Sequence, residues 1–279
     1  MYIGISTMIY ETEKSLDNLK EFSYIDNLGL KYIELSDAFN FQQNVLNSIL
    51  KQNLEVFSVH AEYMGADISS PDEKIRSNGI DDALKRIKYL KELNGSILVI
   101  HPGGWFSDRN EKNKRIKNCI NSLVYILNRK PSGNIKIAIE NLPMEFFGDD
   151  IEIIKYILNE SRKITGTKEE TGICLDTGHA FLTDSIYDYL DILYDDIISI
   201  HLHDNTGDNN RDRSGAEDDL HAVPGEGLID WNKIFNILSD KKYNGGLIFE
   251  VKKGKKTLEQ TMQEIKHFID SNLFLKKNI

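Results

Sequence analysis

Short apolar runs alternate with longer amphipathic stretches along the chain. The runs fall near 2–7, 31–35, 54–60, 96–101, 135–141, 171–176, 197–203 and 246–251, and they read as strands. Between them, apolar residues recur at threes and fours, as in Leu16, Leu19, Phe22, Ile25 and Leu28, or Ile80, Ala83, Leu84, Ile87 and Leu90. That spacing predicts helices with one buried face. Strands and helices in strict alternation predict an α/β protein with a parallel sheet, and eight repeats predict a (β/α)8 TIM barrel. An open doubly wound sheet also alternates, but it usually opens on a glycine-rich turn, whereas the first strand here leaves through GISTMIY.

Length agrees with the pattern: 279 residues suit one barrel domain over 1–279, and no linker or low-complexity tract divides them. The two cysteines, Cys119 and Cys174, fall in a helical pattern and a strand. They predict core thiols rather than a disulfide framework and fit a reducing cytoplasm, with contact between Cys174 and a metal as the alternative. The first residues, MYIGISTM, lack a basic segment and a long apolar run, so neither secretion nor membrane insertion is expected. A net charge of −10 gives no global attraction to nucleic acid, although a local patch can outweigh it.

Six of the apolar runs end in an acid or a histidine. They read FSVHAEY (His60), ILVIHPGG (His101), IKIAIENL (Glu140), TGICLDTGH (Asp176, His179), IISIHLHDN (His201, His203) and GGLIFEV (Glu250). Strand side chains alternate between faces, so a ligand at the last inward position points into the barrel mouth. Glu140, Asp176, His201 and Glu250 then converge from strands five to eight, an oxygen-rich set suited to Mn2+, Co2+, Mg2+ or Zn2+. His60 and His101 are placed to share Glu140 in a second site, and His179, Asp219 and His221 to form a third. One to three divalent ions are expected, and neighbouring ions can share a water and clamp a phosphate.

Each of these residues also has a plainer reading. A lone strand-end histidine is commonly a hydrogen-bonded rim residue, and acidic runs such as AEDDLH are commonly solvated. Yet of the seven histidines only His267 lies in an ordinary helical pattern. His203 shares the inward parity of His201, and its expected role is a hydrogen bond to substrate or to a ligand. The longest stretch without strand or helix signals, 204–230, follows strand seven on the face where barrel enzymes carry their chemistry.

In order and position, SVHAEY, IHPG, IEN, CLDTGHAF, HLHDN, DLHAVPGEG and the glutamate of IFEV resemble the xylose isomerase-like barrel superfamily. That superfamily unites sugar phosphate isomerases and epimerases with apurinic endonucleases of the endonuclease IV type. In the endonucleases the corresponding residues bind three zinc ions. The resemblance implies that metal role for His60, His101, Glu140, Asp176, His179, His201, Asp219, His221 and Glu250. The endonuclease branch usually carries an arginine-bearing loop after strand two, where this chain has IELSDAFNF, and Glu34 resembles an acid of the isomerase-like members. Tyr63 and Met64 stand where the endonucleases wedge the DNA stack, although a tyrosine at a barrel rim also packs a sugar or serves in a lid. Trp105 reads as a stacking ring or as rim packing, and Arg211, Arg213 and the KKGKK run at 252–256 as phosphate receptors or solvated charge.

The leading expectation is a metal-dependent isomerase or epimerase of a sugar or sugar phosphate, with Glu140 and Glu250 as the acid/base pair. Glu34, Tyr63, Trp105, His203 and Arg211 are its expected substrate contacts. The alternatives are a zinc-dependent apurinic endonuclease acting on DNA and a non-catalytic metal- or ligand-binding barrel.

Overall fold

A computed structural model describes residues 1–10, 23–36, 53–62, 64–131, 133–206 and 219–279. Eight strands run parallel and close in chain order, the last pairing with the first. They are β1 (Tyr2–Ser6), β2 (Tyr32–Leu35), β3 (Glu55–His60), β4 (Ile97–Ile100), β5 (Lys136–Glu140), β6 (Thr171–Asp176), β7 (Ile197–Leu202) and β8 (Gly246–Phe249). The predicted (β/α)8 barrel is therefore the observed fold. The described helices are α1 (Ser23–Leu28), α2 (Glu73–Glu92), α3 (Lys112–Arg129), α4 (Ile151–Thr165), α5 (Thr177–Leu182), α6 (Ile186–Ile192), α7 (Trp231–Asp240), α8 (Leu258–Ser271) and α9 (Leu273–Lys276). Leu16, Leu19 and Phe22 of the first helical pattern lie outside the described residues.

Local sequence sets the helix limits. Asp72 caps α2 through Lys74 and Ile75 N–H, and Asp150 caps α4, which ends at Gly166 with φ +71°. The apolar face of α4 buries Ile153, Ile154, Ile157 and Leu158 against the barrel, each worth about 1.5–3 kcal/mol relative to exposure. Among the described residues, no helix is long and apolar enough to cross a membrane.

The alternation predicted from sequence holds from β4 to β8. Outward residues such as Leu98, Ile137, Ile139, Leu175, Ile200 and Leu247 join the large cluster under the helices. Inward residues, Ile97, Val99, Ala138, Cys174 and Ile248, form a small separate core with Phe57. Both cysteines are buried and free, and burial pushes the Cys174 thiol far above its ordinary range. One more inward step along β5, β6 and β8 reaches Glu140, Asp176 and Glu250. Glu140 lies opposite Cys174, Asp176 opposite His201, and His201 opposite Ile248, so the quartet is stepped around the tilted strands rather than set in one register row. His101, His203 and Glu250 each sit one residue past the end of their strand.

Candidate metal centre at the barrel mouth

The acids and histidines meet above the inner core in three groups whose donor atoms lie within 4.8 Å of one another and could hold metal ions. His60, His101 and Glu140 make one group. Glu140, Asp176, His201 and Glu250 make the second, joined to the first by Glu140. The third holds His179, Asp219 and His221, as expected, and also His203. All but His101 and Asp219, which are partly exposed, are almost entirely buried: Asp176, His201 and His203 are at 0% exposure, Glu140 at 1% and Glu250 at 2%.

The imidazoles are oriented from behind. His60 Nδ1 donates to the Ala61 carbonyl at 2.8 Å, which turns Nε2 toward Glu140 Oε2, also at 2.8 Å. His179 Nδ1 donates to the Asn141 carbonyl, and His221 Nδ1 to that of Glu250, both at 3.0 Å. Their Nε2 atoms then face Asp219 Oδ2 at 3.2 and 2.8 Å. His201 is held the other way round: Nε2 donates to Glu34 Oε2 at 3.2 Å, and Nδ1 faces Glu140 and Glu250, each at 3.2 Å. A ring whose far N–H is committed to an acceptor offers a fixed lone pair on its near nitrogen. Preset lone pairs converging on ionised carboxylates fit a divalent cation.

Without a cation, the compensating charge falls to imidazole protons, which a bound ion would displace. Burial alone would raise Glu140, but the charges of His201 and His101 and their hydrogen bonds hold it well below the usual carboxylate range. Asp219 is likewise raised by burial yet held low by His221 and His179, and Glu250 is held low chiefly by His201. Burial would lower His179 and His201, and the surrounding carboxylates raise both well above the normal imidazole value. The mouth is thus a lattice of compensated charge, which is what makes burial of so many ionisable groups tolerable.

Local backbone structure fixes the positions. Asp176 caps α5, accepting the His179 N–H at 2.7 Å, so one carboxylate both joins the quartet and places a residue of the outer group. The Asn141 side chain bonds both the carbonyl and the N–H of Asp176, tying β5 to β6. Asp204 accepts from Asn205 N, Gly225 N, Ile229 N and Trp231 Nε1, which folds the PGEG turn onto α7. Asn205 accepts from Leu220 N at 2.7 Å and donates to Asp219 Oδ1 at 3.4 Å, pinning the far end of the loop against the strand that launches it. His221 has φ +47°, and its carbonyl accepts the Lys252 N–H at 2.9 Å. That left-handed backbone is uncommon outside glycine and is held by neighbouring structure.

Over these groups lies a cavity of about 180 Å3, lined among others by Met8, Leu142, Pro143, Phe146 and Lys252. Lys252 opens the KKGKK run, whose readings are phosphate receptor or solvated charge; the other four had no place among the expected substrate contacts. Pro143 and Phe146 arrive on the turn after β5, which folds back as Leu142 N donates to the Gly148 carbonyl. Only a register of turns, not strand periodicity, would have located them. Trp105 is 48% exposed and meets Phe146 edge to face at 5.5 Å, so it backs the cavity wall. Glu34 lies at 0% exposure behind His201, accepting from Ser58 Oγ at 2.7 Å. Met64 is 74% exposed. Tyr63, Arg211 and Arg213 lie outside the described residues.

Residues 22–271 match the family described as xylose isomerase-like TIM barrel. An uncharacterized protein of Methanocaldococcus jannaschii is 29% identical over 256 residues, 90% of this chain and 92% of that protein. A probable endonuclease 4 of Campylobacter fetus is 28% identical over 226 residues, 76% of this chain and 75% of the relative. Among solved structures, a D-tagatose 3-epimerase-like protein superposes with a TM-score of 0.76 at 22% identity, covering 100% of this chain and 99% of the other.

Proposed function

We propose that this chain, which belongs to the xylose isomerase-like TIM barrel family, is a metal-dependent isomerase or epimerase of a sugar or sugar phosphate. The observation that carries the reading is the placement of Glu140 and Glu250. They come from opposite sides of the quartet, from β5 and just beyond β8, and both line a small cavity. Each reaches His201 Nδ1 at 3.2 Å, and each is held in its ionised form. A carboxylate on one side of a bound ketose can take the proton from the carbon beside the carbonyl, and its counterpart, once it has taken up a proton from solvent, can return one to the other face.

The quartet Glu140, Asp176, His201 and Glu250 would hold a divalent ion such as Zn2+, Mn2+ or Co2+, whose contribution is polarisation of the substrate carbonyl. Glu34, through His201, keeps the imidazole in register. Pro143, Phe146 and Leu142 exclude water from one wall. Lys252 lines the cavity beside His221 and Glu250, and its ammonium suits a phosphate or carboxylate on the substrate. The D-tagatose 3-epimerase-like structural neighbour supports the same class of reaction.

A second reading has its own support. All nine ligand positions of the endonuclease pattern are filled, and a probable endonuclease 4 is among the relatives. The two part in one experiment on metal-loaded protein in D2O. With a panel of ketoses and ketose phosphates, deuterium is expected at the carbon next to the carbonyl, together with the epimer or isomer. An inert panel combined with nicking of an abasic-site duplex, lost in Glu140→Gln, overturns the sugar reading in favour of phosphodiester hydrolysis.

A further inference from the structure

We propose that Asp82 and Arg86, on the outer helix α2, are positioning residues for His60. They fix the peptide that turns its ring toward Glu140, and so set how firmly His60, His101 and Glu140 hold an ion. The inference rests on the metal-binding part of the proposed function and not on the sugar.

His60 Nδ1 donates to the Ala61 carbonyl at 2.8 Å. That carbonyl shares a planar peptide with the Glu62 N–H, which donates to Asp82 Oδ2 at 2.8 Å. A carboxylate on the N–H thus holds the plane whose oxygen orients the imidazole. The preceding peptide is held as closely. Its N–H, from Ala61, donates to the Val99 carbonyl at 2.8 Å, and its oxygen, that of His60, accepts from Arg86 Nη1, also at 2.8 Å. Each of the two peptides after the ligand is therefore gripped at one end by α2.

That grip comes where the sheet stops supplying it. The β2–β3 ladder ends at the pair Leu35 and Val59. Next in that register stand Ser36 and His60, and Arg86 Nη1 reaches both carbonyls, that of Ser36 at 3.4 Å. Asp82 and Arg86 lie four residues apart on one face of α2, and Arg86 Nε donates to Asp82 Oδ2 at 2.7 Å. Arg86 is 5% exposed, so its charge needs that partner. Pairing cancels the charge, which leaves directional hydrogen bonds as the pair's effect on His60. A buried, paired arginine is by itself ordinary support for a fold. What singles this pair out is that it closes on the two peptides that follow a ligand. Loss of a partner that orients a metal-bound histidine costs about 10- to 100-fold in metal affinity, and one bond further out the lower end is expected.

Zinc binding by the full chain tests the pair, with ion count read by native mass spectrometry and affinity by competition with a chelator. In Asp82→Leu combined with Arg86→Met both partners go together, so no orphaned charge is left buried and the fold is expected to hold. One ion, the one lost in His60→Ala, should bind about tenfold more weakly, with affinity at the quartet unchanged. Added to His60→Ala, the two substitutions should cost no further metal. Equal weakening of every ion, no weakening, or a further loss in the His60→Ala background overturns the proposal and leaves the pair a brace for the fold. A wild-type ion count that His60→Ala does not lower overturns it as well. Should the combined variant fail to fold, Arg86→Lys decides. It keeps a charge beside Asp82 but offers no planar fork, so the same ion should weaken, and full retention of affinity contradicts the proposal. None of these readouts involves turnover: an inert sugar panel leaves the pair's role standing, and failure here leaves the sugar assignment standing.

Discussion

At its amino-terminal end the barrel is stoppered by rings. Tyr2 stacks on Phe57 at 4.9 Å and meets Tyr32 edge-on at 5.1 Å, and Gly246 leaves the space that the Phe57 ring fills. At the carboxyl end the same strands deliver carboxylates and imidazoles into a buried network in which each group is held by another. One end is stabilised by burying apolar area that needs no partner. The other stores charge that is tolerable only while compensated, by neighbouring side chains or by a cation. Separating the two tasks lets a barrel keep its fold while its mouth carries a costly constellation.

The comparison is tested most severely by Glu140→Gln, which keeps the shape and removes the charge shared by two metal groups. Turnover of the sugar substrate should fall about 10^2- to 10^4-fold, measured as solvent exchange into substrate, while circular dichroism stays as in the parent. A variant that kept its activity would separate Glu140 from the chemistry. At the opposite end, Phe57→Ala should cost about 3–5 kcal/mol of stability in urea unfolding and leave metal content per folded chain unchanged. Lost metal in that variant would mean that the two ends are not independent. Lys252→Ala probes the rim, where an exposed charge is worth about 1 kcal/mol, or roughly fivefold in affinity. KM for a phosphorylated substrate should rise by that factor with little change in kcat, and an equal rise for the unphosphorylated sugar would remove Lys252 from phosphate recognition.

The strand-end ligands were legible because the two-residue period of a strand commits every inward side chain at once. Glu140, Asp176 and Glu250 continue the rows of Ala138, Cys174 and Ile248. The same parity flagged His203 as a hydrogen-bonding residue but not which acceptor orients its ring, because that acceptor, Asp176, is 27 residues away. Glu34 was visible as a strand-end acid, yet its burial behind His201 depends on contacts with Ser58 and with a residue 167 positions later. Pro143 and Phe146 obey turns rather than a period, so they emerge only once the chain has folded back, whereas Lys252 was visible in the sequence only as one charge of the KKGKK run.

Asn205 and Asp219 touch although 14 positions separate them. Ends held together in this way make added length between them cheap, about 0.6 kcal/mol for each doubling. For a protein engineer, Asn205 and Asp219 are the pair to leave untouched, because their contact holds an outer acid of the chelating floor in place.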